Sequence, residues 1–246
     1  MDSGNSFRRA ALFGSSGGIG AALCSALADR DVEVWAGSRA GLSPDPRCHA
    51  FAFDLAREDT IAAAASTMAD TPPDLVIVAS GVLTLADGTG PERSYRQIDA
   101  DAMEDVFRLN TIGPALVAKH MLPLLPRDRR CVFAALSARV GSITDNRLGG
   151  WHSYRASKTA LNMLLKNFAI ELGRTHKRAV VAGLHPGTVD SALSEPFQSN
   201  LPEGQLTAPR DAAANLLAVI EGLTPGDSGG VFDWKGETVP ACQPEG

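Results

Sequence analysis

Tyr154 and Lys158 stand four residues apart in the stretch SYRASKTALN (153–162), which otherwise reads as a plain helix. At that spacing a phenol and an ammonium share one helix face, one turn apart. An ammonium beside a phenol favours the phenolate and makes its proton easier to move, each pKa unit being worth about 1.4 kcal/mol. On a solvated face the same pair would contribute only ~0.2–0.5 kcal/mol and do no chemistry. The rest of the chain has to decide between the two.

A second group of residues suggests a ligand. In GSSGGIG (14–20), Gly14, Gly18 and Gly20 follow an aliphatic run and open a helical stretch. Glycines there let the backbone turn tightly and let a pyrophosphate approach amide N–H groups, while the helix N-terminus adds partial positive charge. The spacing is Gly-x-x-x-Gly-Ile-Gly, not Gly-x-Gly-x-x-Gly, and a bland tight turn also accounts for a lone glycine cluster. Its place at the first strand-to-helix junction favours the nucleotide reading.

These residues need elements to position them. AALFG (10–14), VEVWAGS (32–38), HAFAFDL (49–55), DLVIVAS (74–80), CVFAAL (131–136), AVVAGLHP (179–186) and GGVFDW (229–234) read as seven strands. Helical patterns lie at 17–30, 59–70, 101–125 and 160–173. Near-continuous apolar strands alternating with helices predict an α/β fold: a single-domain, doubly wound parallel sheet flanked by helices and Rossmann-like. Ligands in such sheets bind outside the carboxyl ends of the strands. Pro/Gly clusters at 41–46, 86–91, 196–204 and 224–230 read as loops, not domain linkers.

Composition narrows the function classes. The 246 residues carry a net charge of −5 with no block of like charges, which argues against nucleic acid or an anionic membrane as partner. Cysteines at 24, 48, 131 and 242 show no Cys-x-x-Cys, so neither a metal site nor a disulfide frame is expected. With no signal-like start and no run of about 18 apolar residues, the expectation is a soluble, cytoplasmic protein.

GSSGGIG at the front and YRASK at 154–158 are joined, in order, by NTIG (110–113), ALSARVGS (135–142) and HPGTV (185–189). On these motifs the chain resembles the short-chain dehydrogenase/reductase family over essentially its whole length. Within the family, the run from Ser137 to Lys166 and the closing DSGGVFDWKGETVP look most like the C-factor/Sniffer-like carbonyl reductase group.

The resemblance implies roles. Tyr154 would exchange a proton with the substrate oxygen as hydride passes between nicotinamide and carbon, its pKa lowered by Lys158, which would also hold the nicotinamide ribose. Asn110 would anchor a water linking Lys158 to solvent; the alternative is an amide that kinks its helix by bonding to backbone. The family's substrate-binding hydroxyl usually falls where this chain has Ala138, so either Ser137 or Ser142 must serve. Gly14, Ser16, Gly18, Ile19 and Gly20 would form the phosphate turn. Asp54 and Leu55 would flank the adenine, and Pro186, Gly187, Thr188 and Val189 the nicotinamide. The usual Asn-Asn-Ala-Gly after the fourth strand is VASG (78–81), which keeps Gly81 for close cofactor approach but lacks the asparagine bonds that brace the strand ends.

The second predicted strand ends with no carboxylate but with Ser38 and Arg39. A carboxylate there would repel the 2′-phosphate of NADP, whereas a guanidinium binds it bidentately. NADP(H) is therefore favoured over NAD(H), which stays open. Residues 190–206 fall at the family's substrate lid, and Trp151 and His152 either line the cleft or pack its wall. The implied activity is reversible reduction of an aldehyde or ketone. The alternative is a nucleotide-binding sensor or signalling protein with little turnover. The resemblance further implies a homodimer or homotetramer, joined through the helices at 101–125 and 153–173.

Overall fold

The computed structural model of the chain describes residues 7–200 and 206–241. Part of the expected lid (201–205) and Cys242 lie outside the described residues. All seven expected strands form, as β1 (Arg9–Phe13), β2 (Glu33–Ser38), β3 (His49–Ala52), β4 (Leu75–Val78), β5 (Cys131–Leu136), β6 (Ala179–His185) and, last in the chain, β9 (Val231–Asp233). They make one sheet in the order β3-β2-β1-β4-β5-β6-β9, with every pairing parallel. The architecture is Rossmann-like.

Period-two alternation divides the strand residues between two cores. Ala10, Leu12, Val34, Leu75, Ile77 and Val132 face α1 (Gly18–Ala28) and α6 (Pro209–Gly222), whose Leu23, Leu27, Leu216 and Ile220 are buried against them. Ala11, Phe13, Val76, Val78, Phe133 and Val181 face the other way. They pack with Ile61 of α2 (Glu58–Thr67), Val117 and Met121 of α4 (Gly113–Met121), and Leu161 and Leu165 of α5 (His152–Leu172). Each such side chain contributes about 1.5–3 kcal/mol of burial, so both sheet faces are anchored. No helix among the described residues is long and apolar enough to cross a membrane.

Helix α6 was not among the expected helices, although Pro209 at its first turn and the apolar spacing of Ala212, Ala213, Leu216, Leu217 and Ile220 mark it in retrospect. A second departure matters more for the site. The single helix expected over 101–125 is α3 (Ala100–Phe107), a π-helical turn (Arg108–Ile112), α4 and a short 3₁₀ turn (Leu122–Leu124). Two residues break it. Pro114 has no N–H to give the carbonyl of Asn110, and Asn110 turns its amide to the backbone of Val82, accepting from its N–H at 2.8 Å and donating to its C=O at 2.8 Å. Gly113 then lets α4 pass close to the β3–α2 connection, because a side chain there would lie 2.7 Å from Leu55 Cβ.

The sheet reverses strand order between β1 and β4, and loops leaving their carboxyl ends diverge into a crevice. Ser80 braces that edge by donating its hydroxyl to the carbonyl of Phe13 at 3.1 Å, so the expected loss of bracing at VASG is made good by a different residue. Past β6, the small strands β7 (Thr188–Val189) and β8 (Leu206–Thr207) pair in parallel and close the base of the 190–206 excursion.

Candidate active site

The glycine turn sits at the crevice. Gly14 has φ +111°, and a side chain on it would meet Ser80 Oγ at 2.3 Å. One on Gly20 would meet the carbonyl oxygen of Gly14 at 2.0 Å. The turn is therefore wound against β4 and against itself more tightly than any other residue allows. Ser16 and Gly18 are exposed and Ile19 half-buried at the first turn of α1, so the helix opens toward the crevice. The two ends of the 190–206 excursion lie beside it, with Ser191 and Pro209 each 3.6 Å from where a Cβ of Gly18 would be.

At the end of β2, Arg39 is exposed and has no hydrogen bond or ion pair with any described residue. Ser38 is not free in this way: its Oγ donates to the carbonyl of Leu42 at 2.8 Å and accepts from its N–H at 3.0 Å, shaping the loop that carries Arg39. Asp54 Oδ1 accepts from the Ala56 N–H at 2.9 Å, and Leu55 is buried beneath α4. Pro186, Gly187 and Thr188 are half-buried after β6, and the carbonyl of Val189 accepts from Ser194 Oγ at 2.5 Å. This set fits a nicotinamide dinucleotide: a free cation, an open helix N-terminus and close-approach glycines lie along the carboxyl ends of β1, β2, β4 and β6.

Tyr154 and Lys158 occupy the first and second turns of α5, 8% and 3% exposed. The pair is buried, so the solvated-face reading of the spacing does not apply. Lys158 Nζ donates to the carbonyl of Leu136 at 2.8 Å and lies 5.8 Å from the centre of the Tyr154 ring. Gly81 is needed here as well, since a side chain on it would reach Asn110 Oδ1 at 3.0 Å and Lys158 Nζ at 3.3 Å. Asn110 is fully buried and links the broken helix to α5 by donating to Ser157 Oγ at 3.2 Å. Thr111 does the same by donating to the carbonyl of Ser157 at 2.8 Å. The structure thus brings Gly81, Asn110, Tyr154 and Lys158 together, and Asn110 makes the backbone-bonded kink that the sequence left as an alternative.

Two expectations change. Burial pushes the Tyr154 phenol up to about 12, where the sequence predicts a lowered value, and pushes Lys158 down to about 8. Withdrawal from water disfavours both charged forms, and with Nζ turned to Leu136 the ammonium does not reverse that for the phenol.

The serines are the second. Ser137 Oγ donates to Asn162 Oδ1 at 2.6 Å, and Ser142 Oγ donates to the carbonyl of Pro240 while accepting from the Asp145 N–H at 3.1 Å. Ala138 and Leu83 share a small buried apolar cluster with Tyr154. Trp151 packs against it, its ring edge-on to Tyr154 with centroids 6.2 Å apart. His152 is half-buried at the first position of α5.

A cavity of about 540 Å³ opens in front of Tyr154. Leu83, Leu85, Pro91 and Val106 give it apolar walls, Pro196 reaches it from the 190–206 excursion, and Glu92 and Ser153 line it beside the phenol. Nothing in the sequence singled out Glu92, because a carboxylate in a Pro/Gly-rich loop reads as solvated. Among the described residues, no cluster of His, Cys, Asp or Glu could hold a metal.

The family model for short chain dehydrogenases matches residues 8–202, and the chain belongs to that family. The C-signal of Myxococcus xanthus is 34% identical over 176 residues, 72% of this chain and 97% of the relative. The carbonyl reductase Sniffer of D. melanogaster superposes with a TM-score of 0.81 at 19% identity, over 95% of this chain and 99% of that one. An NADPH-bound carbonyl reductase from chicken fatty liver does so with a TM-score of 0.81 at 23% identity, over 96% of both chains.

Proposed function

We propose that the protein is an NADP(H)-dependent carbonyl reductase acting on aldehydes or ketones, with Tyr154 as proton donor. The observation that carries this reading is the burial of Tyr154 and Lys158 on successive turns of α5, with Tyr154 lining a cavity of about 540 Å³. The bound nicotinamide supplies the hydride. With its pKa pushed up to about 12, Tyr154 keeps its proton at neutral pH and gives it to the carbonyl oxygen. Lys158, still largely an ammonium at pH 7 with its pKa at about 8, stabilises the tyrosinate left behind and returns a proton to it. The apolar cavity walls favour a substrate that is apolar around its carbonyl. Arg39, with no partner among the described residues, supports NADPH over NADH, in keeping with the NADPH bound by the chicken reductase.

We place the protein in the cytoplasm as a homodimer or homotetramer. The half-exposed or more exposed Ile112, Met163 and Ile170 on the π turn and α5 support association through those helices.

A second reading, a nucleotide sensor with little turnover, is favoured by one feature: Ala138 offers a methyl where the family has a hydroxyl, and the hydroxyls of Ser137 and Ser142 are bonded elsewhere. Turnover of an aldehyde and ketone panel with NADPH separates the two. A reductase loses ~10³-fold or more of its rate in Tyr154→Phe while binding NADPH as before. A sensor binds NADPH with no rate that depends on Tyr154.

A further inference from the structure

The geometry points to Glu92 as the residue that positions Tyr154, by capping the helix that carries it. This rests on Tyr154 being the proton donor.

Helix α5 begins awkwardly. Gly149 and Gly150 both have φ +65° and Trp151 has φ +52°, three left-handed residues in succession, the last of them bulky. A left-handed conformation strains an ordinary side chain, whose Cβ crowds the following carbonyl oxygen. Trp151 has no side-chain group that bonds the helix N-terminus. The first N–H groups of α5 therefore need acceptors from elsewhere.

Glu92 supplies them from 61 residues away in the chain. Its carbonyl accepts from the Trp151 N–H at 2.5 Å. Its carboxylate accepts from the Ser153 N–H, at 3.3 Å to Oε1 and 3.2 Å to Oε2, and from the Ser153 hydroxyl. Arg155 ties the same entry from the other side, donating through Nε to the carbonyl of Gly150 at 3.1 Å and through Nη1 to that of Val140 at 3.3 Å.

Glu92 is 9% exposed, so water does not replace it at the cap. Burial alone would raise its pKa, but the Ser153 hydroxyl and amide outweigh that and hold it below the ordinary glutamate value. The carboxylate grips the residue immediately before Tyr154, and the Glu92 carbonyl holds the backbone of Trp151, whose ring packs on Tyr154. Losing the carboxylate frees Ser153 and shifts the first turn of α5, on which Tyr154 sits. Proton transfer is sensitive to such displacement, since ~1 Å of misplacement costs about 100-fold in rate.

Two measurements test this on the full-length protein. The first needs no turnover: nitration by tetranitromethane followed by peptide mass spectrometry, with Tyr95, the other of the two tyrosines and 64% exposed, as internal reference. Glu92→Ala should nitrate Tyr154 ~10-fold faster relative to Tyr95, as local opening admits the reagent. Glu92→Gln, which keeps an acceptor for Ser153, should nitrate like the parent, and Ser153→Ala should lie between.

The second is kinetic. Glu92→Ala should lower kcat ~100-fold with its Kd for NADPH unchanged, and Glu92→Gln should restore most of the loss. Unchanged nitration and kcat in Glu92→Ala would overturn the proposal. So would a Gln variant as damaged as the Ala variant, because that would make the charge, and not the cap, the working feature. If the parent reduces no carbonyl, the functional reading fails while nitration still decides whether Glu92 holds Tyr154. NADPH binding by each variant reports that it has folded.

Discussion

Lys158 shows most plainly what the site costs the fold. An ammonium 3% exposed, bonded to one carbonyl and without a carboxylate partner, is held against its solvation, and its pKa of about 8 records that. Replacing a buried charge by an apolar side chain of similar length often stabilises, so Lys158→Met should raise unfolding stability by ~1–4 kcal/mol in urea melts while abolishing reduction. The pH dependence fixes the sign. Below pH 8 the lysine is charged in both states and the variant's advantage is full. Between about 8 and the ordinary lysine value the unfolded chain binds the proton more tightly, so the parent gains stability as pH rises and the gap closes. Over the same range the parent's reduction rate should fall as Lys158 loses its charge. Ala138 makes a complementary case. Ala138 shares the buried cluster of Tyr154, so Ala138→Ser brings a hydroxyl into it, and kcat should rise ~10-fold as a second donor meets the developing oxyanion.

At the scale of elements, the break between α3 and α4 ties the site to the sheet. Asn110 fills both hydrogen-bonding groups of Val82 and reaches Ser157 in α5, so one amide ties β4's exit, the π turn and the helix that carries Tyr154. Asn110→Leu fills similar volume but takes the amide partner from the half-buried Val82 N–H and C=O, at about 1 kcal/mol for each lost hydrogen bond. Thermal unfolding should show that loss, and turnover should fall further than stability alone explains, because the Asn110 amide and Lys158 Nζ both lie against Gly81. Periodicity made the helices on either side of the break visible but not the break itself, since the pattern of apolar residues runs through it. Pro114 and the kinking alternative for Asn110 were its marks in the chain.

At the scale of the molecule, the crevice lies across strands distant in sequence, so a nucleotide bound there staples β1, β2, β4 and β6. Binding to the folded state alone adds about 2.7 kcal/mol at a ligand concentration 100 times Kd. For a chain of 246 residues that is an increase of roughly 5–10 °C in Tm. NADPH should produce it and NADH should need a higher concentration. Arg39→Glu should bring NADPH down to or below NADH, because the carboxylate repels the 2′-phosphate that the guanidinium attracts. Equal shifts for both nucleotides, unaltered by Arg39→Glu, would remove the argument for NADP(H).

The strands, the parallel sheet, the glycine turn and the Tyr154/Lys158 pair were legible in the sequence because each rests on local chemistry: apolar runs, backbone freedom and helical spacing. The direction of the Tyr154 shift, the engagement of Ser137 and Ser142, the bracing by Ser80 and the placement of Glu92 depend on burial and on partners tens of residues away. A sequence states which groups are present, and the packed fold decides which of them lose water and to whom their hydrogen bonds go.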